Sequence, residues 1–169
     1  MKKLIPAFLL ILCLICGIAA AETDTEVFEI NWSDYEGLLR ENHPGKIVEM
    51  DNYNFKYYLP DAFTKADSEG FEFFCTSYGC IYAAKASEFI EGTLDDYAQM
   101  LSTDSNLERV TKVLLNGMDA VVCKPTSEHQ IAYCYIKSQG GELMTFLYAP
   151  VTSANEYAFA LSLFAGIQL

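Results

Sequence analysis

Six cysteines, four of them beyond the apolar start of the chain, two histidines and a large set of acids and tyrosines are the residues of this 169-residue chain that could do chemistry. Cys75 and Cys80 close the segment CTSYGC, and Cys123 and Cys134 close CKPTSEHQIAYC. A redox pair reads C-x-x-C, and a zinc site shows close C-x-x-C or H-x-x-x-H spacing; neither pattern occurs. The spacing favours disulfide staples. A turn at Ser77-Tyr78-Gly79 would set Cys75 opposite Cys80, and a second hairpin would set Cys123 opposite Cys134. Opposed residues at a non-hydrogen-bonded pair have Cα atoms about 4.5 Å apart, near the lower end of what a disulfide tolerates. If the two hairpins pack side by side, a bridge between them is the alternative.

The titratable groups form no catalytic constellation. His43 precedes Pro44-Gly45 at a helix end, where its ring complements the dipole. His129 lies in the loop TSEHQ beside Glu128, and neither histidine has converging partners in sequence. The G-x-S-x-G turn of serine hydrolases is absent. Asp95 and Asp96 resemble an acid–base pair, but neighbouring helix positions point about 100° apart, and both suit the positive end of a helix dipole. Asp67-Ser68-Glu69-Gly70 lacks the twelve-residue spacing of a calcium loop and reads as a turn. No catalytic residue, metal ligand or cofactor site is therefore expected. The tyrosines remain. Adjacent strand residues Tyr57 and Tyr58 must face opposite sides of a sheet, so alternation does not bury them all. With Tyr133 and Tyr135 they form a possible binding face, because tyrosine presents an apolar body and a polar tip to peptides or sugars.

These residues are carried by short strands and three helices. Ser33 and Glu36, Thr93 and Asp96, and Ser153 and Glu156 each have capping-box spacing. They open helices through DYEGLLRE, TLDDYAQML and EYAFALSLFAGI. KIVEM and NFKYYL flank Asp51-Asn52 as a hairpin; Phe71 to Cys75 and Cys80 to Lys85 form the next. Arg109 to Leu115 meets Met118 to Lys124 through Asn116-Gly117, the strongest short hairpin signal a sequence offers. Gln130 to Lys137 and Glu142 to Ala149 follow. Six or seven strands, mostly in consecutive hairpins, make an α+β domain with helices on the faces of an antiparallel sheet.

The address is written at the start of the chain. Lys2 and Lys3 precede an apolar run from Leu4 to Ile18, and Ala19-Ala20-Ala21 ends it just before Glu22. That pattern predicts a secretory signal peptide, cleaved between Ala21 and Glu22. The run is shorter than the roughly 20 residues of a bilayer span, so no stable membrane span is expected after its removal. Residues 22–31, with Glu22, Asp24, Glu26 and Glu29 and no base, read as an acidic lead-in to a single domain over 32–169. Without Lys2 and Lys3 the formal charge falls from −12 to −14. Such a surface repels polyanions, so nucleic acid is not an expected partner.

The order of these elements resembles the PsbP-like (Mog/PsbP) family. FKYYLPDAF, a hairpin, TLDDYAQML, VTKVLLNGMDAVVC, the tyrosine-bearing strand AYCYIK, LMTFLYAPV and a closing helix carry the likeness over Tyr53 to Ile167. That family includes an extrinsic photosystem II protein, Ran-binding proteins and many uncharacterised exported bacterial proteins. The resemblance implies a sandwich of helices on an antiparallel sheet, and a non-enzymatic binding or assembly role; it assigns no residue a function. The expectation is a secreted bacterial protein that binds an unknown protein or envelope component. An extracytoplasmic hydrolase using paired carboxylates, or a small-ligand or metal carrier, is the alternative.

Overall fold

The computed structural model describes residues 28–50, 53–66, 72–89, 92–138 and 140–169. The signal segment, its Ala21–Glu22 junction, the Asp51-Asn52 turn and the Asp67–Gly70 turn lie outside the described residues. Ten strands and three helices follow in the order β1 (Phe28–Ile30), α1 (Trp32–Asn42), β2 (Gly45–Glu49), β3 (Lys56–Pro60), β4 (Thr64–Ala66), β5 (Glu72–Cys75), β6 (Ile81–Phe89), α2 (Leu94–Leu101), β7 (Leu107–Leu115), β8 (Met118–Pro125), β9 (Ala132–Lys137), β10 (Glu142–Ala149) and α3 (Ala154–Ala165). Eight strands form one sheet in the order β1-β7-β8-β9-β10-β6-β5-β4, while β2 and β3 stand apart as a two-stranded layer. Every neighbour pair is antiparallel except β1 with β7.

Three layers result. On the inner face of the sheet lie the β2–β3 hairpin and α3, with α1 packed on α3. On the outer face α2 packs on β7 and β8, joining Leu94, Ala98 and Leu101 to Val121, Cys123, Tyr135 and Leu143. The α+β reading is correct, but the described residues hold ten strands against the six or seven expected, and two of the ten were not recognised as strands from sequence. Phe28–Ile30, assigned to the lead-in, is strand β1 paired in parallel with β7, and Ile30 is 1% exposed. Strand β4 was also missed, because Thr64-Lys65-Ala66 shows no apolar alternation.

Two of the three expected caps form. Thr93 and Asp96 exchange both bonds of a capping box, and the Ser153 hydroxyl accepts the Glu156 amide at 3.2 Å. The Ser33–Glu36 box does not form. Asn31 is the N-cap of α1 and makes no side-chain cap bond, and Glu36 instead pairs with Arg40 at 2.9 Å. The capping acceptor arrives from 84 residues away: Asn116 Oδ1 accepts the Trp32 amide at 2.6 Å. Asn116 Nδ2 also donates to the carbonyls of Ala165 at 2.8 Å and Ile167 at 2.6 Å. Asn116 and Gly117 have φ of +49° and +79°, the left-handed pair that a tight I′ hairpin turn requires. The β7–β8 turn thus ties the start of α1 to the end of α3.

Candidate binding surfaces

The tyrosine face expected from sequence is half overturned. Tyr57 and Tyr58 do point to opposite sides of β3, but both sides are covered, and each residue is 0% exposed. Tyr57 enters the sheet interface against Phe74, Tyr82 and Phe146, with ring centroids 5.6 to 6.1 Å away. Its hydroxyl donates to Glu72 at 2.5 Å. Tyr58 turns the other way, 5.2 Å from the Trp32 ring, and its hydroxyl donates to the His43 carbonyl. Sequence alternation could not reveal this, because it does not say that the hairpin forms an inner layer.

Tyr133 and Tyr135 remain on the outer face, with partners that sequence did not group. The Tyr133 and Tyr135 rings stack 5.6 Å apart at 15°, and Tyr97 of α2 meets Tyr135 edge-on at 5.1 Å. His129 Nε2 lies 3.1 Å from the Tyr133 hydroxyl. Burial raises the pKa of Tyr97, Tyr133 and Tyr135, so these hydroxyls stay protonated. Tyr135 lies beneath α2 at 8% exposed, whereas Tyr133 is part-exposed.

Beyond Tyr135 the α2 cover ends. Strand register places three rows of side chains across β9, β10, β6, β5 and β4. One row runs Tyr133, Leu147, Ala83, Phe73, Ala66. A second runs Ala149, Ile81, Cys75, Thr64, and a third Tyr135, Thr145, Lys85. Tyr133, Leu147, Phe73, Ile81 and Ala149 are all part-exposed. Tyr78, in the β5–β6 turn at the end of this face, is 71% exposed. The chain has 23 acids, yet none occupies these rows. Among the described residues these rows are largely apolar, and such a patch on so acidic a chain is of the kind that marks an interaction site.

The four cysteines among the described residues are free thiols, and register rules out both hairpin pairings. Cys123 lies directly opposite Tyr133, and Cys134 opposite Val122. A one-residue offset sends adjacent positions to opposite faces. Cys123 accordingly joins the α2 cluster while Cys134 joins the inner core. Cys75 lies opposite Ile81 rather than Cys80. Cys75 shares the outer face with Phe73; Cys80 faces inward, where the Tyr148 hydroxyl donates to its sulfur at 3.5 Å. A bridge between the hairpins also fails, because β10 lies between β6 and β9. Two strand spacings of about 4.8 Å exceed the Cα separation a disulfide spans. Burial, then Asp104, pushes the Cys123 thiol up to about 12; burial also raises Cys134.

The remaining candidates have structural partners. Asp95 pairs with Lys112 at 2.7 Å, and Asp96 caps α2, which lowers its pKa through its bonds to Thr93. His43 caps α1 through its amide and lays its ring 4.5 Å from Phe159, in a groove of about 370 Å³ between α1 and α3. Among the described residues, no group of three or more His, Cys, Asp or Glu could hold a metal ion. Among them, too, no helix is long and apolar enough to cross a membrane.

No family model and no curated protein matches this chain. A solved structure does: the solution structure of cyanobacterial PsbP (CyanoP) from Synechocystis sp. PCC 6803 is similar over 90% of this chain and 99% of its own, with a TM-score of 0.55 and 10% identity. At that identity the likeness is one of fold, and the fold is PsbP-like.

Proposed function

We propose that the chain is an exported, non-enzymatic binding or envelope-assembly protein whose contact face is the outer surface of β9, β10, β6 and β5. The observation that supports this reading is the set of register rows without a carboxylate in which Tyr133, Leu147, Phe73, Ile81 and Ala149 are part-exposed around buried Ala83, ending at Tyr78. Apolar burial would supply the affinity, at roughly 25 cal/mol per Å² less the cost of association. Part-exposed Phe73, Leu147 and Tyr133 would be its central anchors, since aromatic residues dominate interface energetics. The surrounding acidic surface would hold off polyanions and keep the free protein soluble.

The test is retention of envelope proteins on immobilised full chain, compared with Phe73→Glu and Leu147→Glu. Each substitution places a charge in the open rows, where no inner-core contact is disturbed. Selective loss of one retained species supports the reading. Retention of the same species by both variants refutes it.

A further inference from the structure

Hairpin β2–β3 overhangs the β4–β5 end of the sheet and leaves a gap there of about 400 Å³. From above, Lys46, Val48 and Leu59 face the sheet, because Lys46 lies opposite Leu59 and Val48 opposite Tyr57, whose ring enters the interface. From below, Lys65, Glu72 and Phe74 face the hairpin, and Phe63 closes the back. Leu59, Phe63 and Phe74, each 6 to 7% exposed, give the gap apolar walls, and Lys46, Glu49, Asp61, Lys65 and Glu72 make the rest of its lining charged.

Its charges are arranged unusually. Lys46 and Lys65 belong to opposite layers, and among the described residues neither is in an ion pair. The same holds for the carboxylate of Asp61 at the rim. Glu72 is bound to the Tyr57 hydroxyl, and Glu49 lies 3.8 Å from Lys56.

We propose that this gap is a binding site for a small zwitterion with an apolar body, an apolar α-amino acid. The carboxylate pairs with Lys46 and Lys65, the ammonium with Asp61, and the side chain covers Phe63 and Phe74. The volume suits the class, since sites for small ligands start at about 300 Å³. Charge-assisted bonds to both ends of one ligand would set its orientation. The site is on the opposite side of the sheet from the proposed docking face, so the two readings stand or fall separately.

The test is calorimetric titration of the full chain with L-phenylalanine, 3-phenylpropanoate and phenethylamine. L-phenylalanine is expected to bind, and each truncated analogue to bind about tenfold more weakly or worse. Lys46→Gln and Lys65→Gln, both at exposed positions, are each expected to weaken L-phenylalanine by a similar factor. Lys56→Gln and Leu147→Glu should leave its affinity unchanged. Saturable binding that the two lysine variants do not alter, equal binding of phenethylamine, or no binding of any of the three overturns the proposal.

Discussion

Asn116 joins three segments through one side chain, so its removal should unfasten both helix ends at once. Asn116→Gly keeps the backbone, since glycine adopts a φ of +49° without strain, and deletes the amide. It loses one acceptor to Trp32 N and two donors to Ala165 and Ile167. At roughly 0.5–1.5 kcal/mol per net hydrogen bond the loss is about 2–4 kcal/mol. The added freedom of the unfolded chain contributes about 0.4–1 kcal/mol more. With a urea slope of about 2 kcal/mol/M, the midpoint should fall by about 1.2–2.5 M with the slope unchanged. Hydrogen exchange should accelerate first at the Trp32 amide. A Gly variant within about 0.5 kcal/mol of wild type, the scale of an ordinary surface substitution, would show that the turn acts through its backbone alone.

Thiol titration of the chain from Glu22 onward, which lacks Cys13 and Cys16, should find four free sulfhydryls in the unfolded, unreduced protein. In the native state part-exposed Cys75 and Cys80 should react well before Cys123 and Cys134, which burial shields and keeps protonated; a mass lower by two hydrogens would contradict this. Tyrosinate absorbance should give an alkaline signature. Tyr82, Tyr135 and Tyr148 have folded pKa values raised chiefly by burial, so the stability they contribute is complete below about pH 10, the unfolded value, and is lost as pH rises above it. Their ionisation should coincide with unfolding; smooth titration of every tyrosine near pH 10 in a folded chain would refute it. Gly45→Ala should destabilise the hairpin, since a Cβ there would lie 2.4 Å from the Leu59 carbonyl oxygen, and equal urea midpoints would contradict that packing.

Local chemistry made much of this fold legible. Asn116-Gly117 marked its hairpin, and Thr93 and Ser153 marked two helix starts. Long-range pairing was not legible. Phe28-Glu29-Ile30 is too short to show a period, and its partner β7 lies some 80 residues on. The α1 cap comes from Asn116, which no window around Ser33 contains. The cysteine pairings failed on parity: a turn one residue longer or shorter exchanges the faces, and CTSYGC does not state its register. Tyr57 and Tyr58 were placed on a sheet face because nothing in NFKYYL says that the hairpin leaves the main sheet. Of the proposed contact face, Tyr133 was visible in sequence, while Phe73, Ile81 and Leu147 become neighbours only through the β5-β6-β10-β9 order.

The contact face is tested most directly by photo-cross-linking in intact cells, with a photoreactive residue placed at position 73 or 147 and, as controls, at 38 or 48. One recurrent adduct from 73 and 147 that is absent from 38 and 48 is the outcome this account predicts. The same adduct from all four positions, or adducts confined to 38 and 48, would contradict it.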